Sequence, residues 1–146
     1  MEAGALAYRL TKNGEVRILL VSKKRSKQWG IPKGRLTPDL TYGQTAAKET
    51  YEEAGVRGRI STHSVGSFRS MKRLPQQGRE CVIEVWVYLL EVTERLADWP
   101  EKGRRDVRWV SCKEAARQLR EPKLSDLCLR LKQELKALSR APGKGG

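Results

Sequence analysis

Three glutamates on one predicted helix are the residues of this sequence best suited to chemistry. Glu49, Glu52 and Glu53 have the spacing i, i+3 and i+4, so a helix places them on a shared face. Carboxylates crowded in this way repel one another, and Lys48 is the only adjacent base. A hard divalent cation such as Mg²⁺ or Mn²⁺ relieves the repulsion and also binds phosphate oxygens. The short pattern alone is more often a solvated helix face, so the surrounding sequence decides.

The flanking residues indicate how these acids are positioned. Thr41 and Gln44 have the spacing of a capping box, which predicts a helix from Thr41 to Ala54. Gly55 follows at the position of a C-terminal cap. The segment at 29–34, Trp-Gly-Ile-Pro-Lys-Gly, precedes the helix, and its glycines and proline fix unusual backbone angles. The acids are therefore predicted to lie on a well-defined helix beside a rigid loop.

Apolar patterning predicts the remaining elements. We expect strands at 3–10, 16–22, within 56–68, at 80–92 and at 107–110. Polar loops are expected at 70–78 and 95–105. One helix is expected from the capping-box pair Ser111 and Glu114 to about 119, and another over 124–138. This order predicts an α+β fold in which a mixed sheet lies between helices. One domain covers residues 1–140, followed by a flexible tail at 141–146.

Composition limits the class of protein and its partners. The chain has 146 residues and a formal net charge of +13, which attracts nucleic acid, anionic membrane surfaces or small phosphorylated molecules. No apolar run is long enough to span a bilayer, and no secretory signal is visible. Three widely spaced cysteines and a single histidine argue against a zinc site and against a disulfide framework. We therefore expect a cytoplasmic protein.

The stretch from Gly34 to Val56 resembles the Nudix box. The family pattern has Gly, five residues, Glu, seven residues, then Arg-Glu-aliphatic-x-Glu-Glu-x-Gly-aliphatic. The positions that match it at the correct spacing are Gly34, Glu49, Glu52, Glu53, Gly55 and Val56. The resemblance implies the Nudix fold, an α/β/α sandwich, and hydrolysis of a diphosphate bond with Mg²⁺ or Mn²⁺.

Three positions depart from the family pattern. Leu40 stands where the family has its first Glu, Lys48 where it has Arg, and Thr50 where it has an aliphatic residue. Leu40 cannot accept a hydrogen bond, and Lys48 lacks the planar fork that holds a carboxylate bidentately. We therefore expect Glu49 to be less tightly oriented, which affects the catalytic rate more than metal binding.

Roles follow from the resemblance position by position. The backbone carbonyl of Lys33 and the carboxylates of Glu49 and Glu53 would bind the metal ion. Glu52 would act as the base or bind a second metal ion. Glu52, Glu49 and Lys48 are thus the expected catalytic residues, with Lys48 as a supporting group. Gly34 and Gly55 would be structural glycines of the box, with Gly34 allowing the loop to approach the helix closely.

The substrate is expected to be rich in phosphate. Residues 16–120 are most similar to the diphosphoinositol polyphosphate and diadenosine polyphosphate hydrolases, particularly over 91–105. Basic clusters flank the predicted site at 23–27, 69–73 and 104–105, and Arg can hold phosphate bidentately. The best candidates for phosphate contacts are Lys23, Lys24, Arg25, Arg104 and Lys123. Phe68, Trp86 and Tyr88 are the rings that could stack on a base, but their strand positions favour core packing.

Other functions stay open at this point. The leading hypothesis is an enzyme that hydrolyses a polyphosphorylated small molecule, as a monomer or a weak dimer. An RNA 5′ pyrophosphohydrolase is the neighbouring alternative, although nucleic acid is not the favoured partner and a membrane is not expected. The alternative from another class is a nucleotide- or RNA-binding module that has lost catalysis through the changes at Leu40 and Lys48.

Overall fold

A computed structural model describes residues 1–22, 26–74, 76 and 78–140, with the side chains of 138–140 excluded. In this part of the chain the strands are β1 (Glu2–Leu10), β2 (Val16–Ser22), β3 (Trp29–Gly30), β4 (Lys33–Arg35), β5 (Val56–Ile60), β6 (Gly66–Leu74), β7 (Arg79–Arg95) and β8 (Val107–Ser111). The helices are α1 (Tyr42–Ala54), α2 (Cys112–Gln118) and α3 (Pro122–Arg140). The predicted tail at 141–146 lies outside the described residues.

The strands form one mixed sheet with β1 at its centre. β1 pairs in parallel with β7, in a register that runs from Glu2 opposite Val85 to Tyr8 opposite Glu91. It pairs antiparallel with β4 at its start and with β2 at its end. β2 also pairs with β3 and β8, and β7 pairs with β5 and β6. The N-terminal end of β1 therefore meets β4 and β7 at the same place.

Helices cover both faces of this sheet. Alternate residues of a strand point to opposite faces. Ala3, Ala5 and Ala7 of β1 belong to a core cluster with residues of α1. Leu6 of β1 belongs to a second cluster that includes buried residues of α2 and α3. The predicted α/β/α arrangement is confirmed, with α1 on one face and α2 and α3 on the other.

Helix α1 is capped at both ends as the sequence indicates. The Gln44 backbone N–H donates to Thr41 Oγ1 at 3.1 Å, and the Thr41 N–H donates to Gln44 Oε1 at 2.8 Å. Both halves of the capping box are thus formed. Gly55 ends the helix in the left-handed conformation, with φ +71°. The hydroxyl of Thr50 is buried and donates to the Ala46 carbonyl at 2.7 Å, so its replacement of an aliphatic residue leaves no unsatisfied group.

Gly55 is expected to tolerate no side chain. A Cβ at Gly55 would lie 2.3 Å from Trp99 Cε3, and its φ of +71° is strained for any L-residue. We expect Gly55→Ala to lower the free energy of unfolding by about 3 kcal/mol in urea denaturation. Gly14→Ala is the control, because φ there is +79° but nothing lies within 4 Å of the added Cβ. An equal loss in both variants would contradict a role for the Trp99 contact.

The predicted polar loop at 70–78 is wrong over its first half. β6 continues to Leu74, and Lys72 and Leu74 pair with Cys81 and Arg79 of β7. The charges of this segment mislead because its alternate residues Phe68 and Ser70 are buried while Arg69 and Met71 are exposed, a strand pattern. β7 is correspondingly longer than the predicted 80–92. The predicted loop at 95–105 lies between β7 and β8, as expected.

The two C-terminal helices close the second face of the sheet. Ser111 Oγ accepts from the Glu114 N–H at 3.1 Å and caps α2. The Glu114 carboxylate bonds Gln118 instead of returning to the cap, so only half of the predicted capping box is recorded. On α3, Leu124, Leu127 and Leu131 are buried as the apolar stripe predicts. Within the described residues, no helix is both long and apolar enough to cross a membrane.

Candidate active site

Glu49 lies against the loop that precedes its helix because Gly34 has no side chain. A Cβ at Gly34 would be 2.2 Å from Glu49 Cδ and 2.4 Å from Glu49 Oε1. The loop itself is held on the sheet, since β4 pairs Lys33 with Gly4 and Gly34 with Ala3 of β1. Gly4 permits this approach, because a Cβ there would lie 2.8 Å from the Pro32 carbonyl oxygen. Two glycines therefore bring the carboxylate, the loop and the central strand together.

Glu53 is the most deeply buried acid of the helix, with only 4% of its surface exposed. Burial raises the pKa of Glu53 to about 8, and the charges of Glu49 and Glu101 act in the same direction. Two groups lower the pKa of Glu53 but only partly offset this rise: the guanidinium of Arg105 and the backbone N–H of Lys33. Arg105 Nη1 lies 3.8 Å from Glu53 Oε1. The carboxyl group is therefore protonated at neutral pH unless a cation compensates its burial.

Glu49 and Glu53 form a carboxyl pair. Burial also raises the pKa of Glu49, and repulsion from the Glu52 charge raises it further. A hydrogen bond from Glu53 acts in the opposite direction and lowers the pKa of Glu49. One carboxyl group can donate to the other only when it is protonated, so a hydrogen bond between the two acids requires a proton on one of them. A divalent cation can take the place of that proton. The pair and its burial therefore fit a hard metal ion.

Glu52 and Glu49 share Lys48 as an ion-pair partner. Lys48 Nζ lies 3.3 Å from Glu52 Oε2 and 3.8 Å from Glu49 Oε2. The three acids thus differ in burial, since 4% of the Glu53 side chain is exposed, compared with 18% for Glu49 and 29% for Glu52. In the described ranges no group of three His, Cys, Asp or Glu side chains is arranged to hold an ion. Glu49 and Glu53, with the carbonyl of Lys33 that the Nudix resemblance implies, are the residues that would hold one.

A basic cleft of about 350 Å³ opens beside Glu53. It lies at the N-terminal end of β1, where β4, β6 and the segment before β8 meet. Its charged lining residues are Glu2, Lys33, Arg35, Glu53, Lys72, Arg73 and Arg105. Its described lining includes no aromatic ring. The cleft is thus suited to phosphate groups more than to a nucleobase.

Arg105 is the basic residue held most firmly at this cleft. Its Nε lies 3.2 Å from Glu101 Oε1, and its Nη1 donates to the Ser22 carbonyl at 3.4 Å. The loop that carries it is tied to the end of α1, because the Glu101 N–H donates to the Glu52 carbonyl at 3.0 Å. Helix α1 and this loop therefore present Glu53 and Arg105 to each other.

The predicted phosphate contacts are distributed differently. Lys23, Lys24 and Arg25 lie outside the described residues. Arg104 lines a neighbouring cleft of about 370 Å³ with Ser22, Ser26, Lys27 and Asp106, and Arg105 lines both clefts. Lys123 is exposed in the first turn of α3 and lines neither cleft.

Sequence reasoning missed Arg35 and Glu2, and it ranked Arg104 above Arg105. The i, i+4 spacing of Glu101 and Arg105 was a usable signal for the more firmly held arginine. Phe68 is 2% exposed within the core cluster shared with α2 and α3, so its predicted core role is confirmed. Trp86 and Tyr88 are partly buried on β7.

Residues 2–129 match the NUDIX domain family. The chain belongs to the Nudix family. Among curated relatives, it is 32% identical over 127 residues to the mitochondrial Nudix hydrolase 12 of Arabidopsis thaliana, covering 77% of this chain and 63% of the relative. It is 33% identical over 120 residues to diphosphoinositol polyphosphate phosphohydrolase 2 of Rattus norvegicus, covering 80% of this chain and 61% of the relative. The chain thus spans less than two thirds of the length of these relatives.

Solved structures share the Nudix fold. A C. elegans Ap4A hydrolase in a binary complex superposes with a TM-score of 0.65 at 20% identity, over 93% of this chain and 97% of that one. At this level of identity the likeness concerns the fold alone. The Nudix fold predicted from the box is confirmed.

The departures from the Nudix box can be tested directly. Leu40 lies in the turn before α1, and Lys48 is 48% exposed with a single Nζ placed between two acids. Arg at this position could hold a carboxylate with two parallel N–H donors. We expect the double variant Leu40→Glu, Lys48→Arg to raise kcat for hydrolysis of a diphosphate bond about fivefold in steady-state phosphate-release assays. The affinity for the metal ion should change little. An unchanged kcat would reject the idea that these positions limit the rate.

The Nudix carboxyl pair should also make stability depend on pH. Without divalent cations, Glu53 is protonated in the folded protein up to about pH 8, but in the unfolded chain only up to its ordinary pKa of 4.5. Unfolding between these values releases a proton, so the free energy of unfolding falls as pH rises. We expect a decrease of about 2 to 4 kcal/mol between pH 5 and pH 8.5, measured by urea denaturation in EDTA. Glu53→Gln should flatten this slope, and an identical slope in the variant would assign it to other groups.

Proposed function

We propose that this Nudix protein is a Mg²⁺- or Mn²⁺-dependent hydrolase that cleaves a phosphoanhydride bond in a polyphosphorylated small molecule. The observation that carries this proposal is the pair of the buried Glu53 and the half-buried Glu49, with Glu53 lining a cleft whose basic residues are Lys33, Arg35, Lys72, Arg73 and Arg105. The carboxylates of Glu49 and Glu53 favour a bound cation, and the neighbouring basic side chains of the cleft favour a bound anion. A metal-bound polyphosphate satisfies both.

The acids of α1 provide the metal-binding and proton-transfer groups. Glu49, Glu53 and the Lys33 carbonyl would hold the ion, which when bound neutralises phosphate charge and acidifies water. Glu52 is 29% exposed and held by Lys48, so it can accept a proton from an attacking water. The water oxygen forms a bond to phosphorus, the bridging P–O bond breaks, and the leaving phosphate carries away the bridging oxygen.

The bases of the cleft would bind and orient the substrate. Arg105 is fixed by Glu101 and by the Ser22 carbonyl, so its remaining N–H groups can hold a phosphate without a large loss of side-chain entropy. Arg35 and Arg73 line the same cleft from β4 and β6. Positive charges on several sides of a phosphate favour the crowded negative charge of the transition state.

The names of relatives support a phosphate-rich substrate. The similar rat protein is named a diphosphoinositol polyphosphate phosphohydrolase, and the superposed worm protein is named an Ap4A hydrolase. We propose either an inositol pyrophosphate or a dinucleoside polyphosphate as the substrate. The lack of an aromatic ring in the described cleft lining favours the inositol compound, which has no base to stack.

RNA is the second candidate because the formal net charge is +13. An RNA 5′ pyrophosphohydrolase would bind RNA strongly, and its affinity would fall steeply with salt. A binding module without catalysis is the third. The carboxyl pair argues against it, since a module that binds only nucleotides gains nothing from a buried acid and a half-buried acid that both repel an anion.

One panel of substrates separates these functions. Phosphate release would be measured from a diphosphoinositol polyphosphate, diadenosine tetraphosphate and 5′-triphosphate RNA, each with Mg²⁺ and with EDTA. We expect Mg²⁺-dependent release from a small molecule at kcat/KM at least tenfold above that for RNA. Preference for RNA would favour the second candidate, and no release from any compound would favour a binding module.

The compartment and the oligomeric state are proposals as well. Cys81, Cys112 and Cys128 are all free thiols, and burial raises the pKa of Cys128 to about 12. Thiols of this kind persist in a reducing compartment, which supports the cytoplasmic proposal. We also propose a monomer or a weak dimer, to be measured by sedimentation.

A further inference from the structure

Glu2 is a buried carboxylate at the start of the central strand. It is 5% exposed, and the three residues that follow it in β1, at 3–5, are small and apolar. Its two oxygens contact different lysines. Glu2 Oε1 lies 3.2 Å from Lys33 Nζ, and Glu2 Oε2 lies 2.8 Å from Lys72 Nζ. The carboxylate therefore bridges two ammonium groups from separate strands, β4 and β6.

The sheet creates this bridge. Glu2 pairs with Arg35 of β4 on one side and with Val85 of β7 on the other. Lys72 reaches it from β6, the next strand beyond β7. Burial would raise the pKa of Glu2, but hydrogen bonds and charge from Lys72 and Lys33 outweigh it and lower the pKa. Two ammonium groups within hydrogen-bond distance of one buried carboxylate hold Glu2 in ion pairs with both lysines.

Both lysines also line the cleft beside Glu53. Lys33 and Lys72 have 25% and 38% of their side chains exposed, and each ammonium group has three N–H donors. One donor of each is directed to Glu2, and the others are available to a ligand. Two ammonium groups on one carboxylate leave a net positive charge at a fixed point of the cleft wall. Such a point suits a phosphate group.

We propose that Glu2 is a positioning residue that holds Lys33 and Lys72 as a paired site for a second phosphate group of the substrate, one not bound to the metal ion. This inference rests on the proposed function and refines its substrate class. The enzyme should require a further phosphate beyond the scissile pair, as in an inositol polyphosphate or a long dinucleoside polyphosphate. Simple diphosphates should be poor substrates.

Glu2→Gln tests the positioning role. Gln keeps the shape of the side chain but cannot hold two cations, so each lysine gains conformational freedom. We expect KM for a polyphosphate to rise about tenfold, with kcat changed less than twofold. Glu2→Asp should recover part of the loss. Glu91→Gln is the matched control, because Glu91 also pairs with a basic residue, Arg59 at 3.5 Å, but does not line the cleft.

A double-mutant cycle tests whether Glu2 acts through its lysine partner. In a Lys72→Met background, Glu2→Gln should raise KM less than threefold, because one of the positioned groups is already lost. Full additivity of the two substitutions would overturn the proposal. A lower KM for Glu2→Gln would also overturn it, since it would show that Glu2 repels the phosphate.

Binding measurements separate this inference from the proposed activity. A non-hydrolysable methylene-bridged tetraphosphate would be titrated calorimetrically into wild-type protein and into Glu2→Gln, with magnesium present. A tenfold weaker affinity supports the inference even if no substrate is turned over, and equal affinity overturns it. If Glu2→Gln does not fold, Lys72→Met and Lys33→Met should each weaken binding by at least threefold. Unchanged affinity in both would reject the paired site.

Discussion

Glu53→Gln is expected to reduce turnover about a thousandfold, or about 4 kcal/mol in activation free energy. Gln has nearly the shape of a protonated Glu, so the buried position stays filled, but it cannot carry the charge that a divalent cation requires. The same substitution removes an acid whose burial is unfavourable when ionised. We therefore expect the metal-free variant to be at least as stable as the wild type at pH 8.

The measurement combines a phosphate-release assay with urea denaturation of the same samples. Glu94→Gln is the control, because Glu94 is an exposed acid on β7 that does not line the basic cleft. Its turnover should match that of the wild type. If Glu53→Gln retained more than about a tenth of wild-type turnover, this carboxylate would not be the main metal ligand.

Gly34→Ala is expected to lower turnover about a hundredfold while leaving a folded protein. The added methyl group would lie 2.2 Å from Glu49 Cδ, so the carboxylate or the loop must move. A displacement of about 1 Å at a catalytic group typically costs about two orders of magnitude in rate. The loop can give way only by weakening the pairing of β4 with β1, so Glu49 is the group that moves.

Gly43→Ala is the matched control for this substitution. Gly43 lies in the first turn of the same helix, and an added Cβ there would meet nothing closer than 3.6 Å. Its turnover and its melting temperature should stay near the wild-type values. A loss of turnover in Gly34→Ala no greater than in Gly43→Ala would show that the loop is not packed on Glu49 in the active enzyme.

The acid helix could be predicted from sequence almost to the residue, because its signals are local. The caps of this helix depend on hydrogen bonds to residues at most four positions away, as at Thr41, Gln44 and Gly55. Contacts of such short range can be predicted from the order of residues alone. The spacing of Glu49 and Glu53 likewise fixes their common face. The extent of β6 was missed because charges at Arg69, Lys72 and Arg73 resemble a loop when the partner strand is unknown.

The basic cleft was less predictable because its members come from distant parts of the chain. Glu2, Lys33 and Lys72 meet only when three strands are assembled in one register. No local pattern marks a lone acid at the start of a strand as the partner of two lysines. The density of basic residues predicted a phosphate-rich ligand, and the spacing of Glu101 and Arg105 marked the more firmly held arginine, but the fold was needed to place Arg105 next to Glu53.

The parallel pairing of β1 with β7 also has a consequence for biosynthesis. Residues 2 and 85 are sheet neighbours, so the central strand β1 cannot pair with β7 until most of the domain has been translated. Pairings this distant in sequence form slowly and leave an uncovered edge meanwhile. The hairpin of β1 and β2 can form early, but the acid helix cannot acquire its full surroundings until β7 leaves the ribosome. The carboxylates of α1 should therefore reach their folded surroundings late in synthesis.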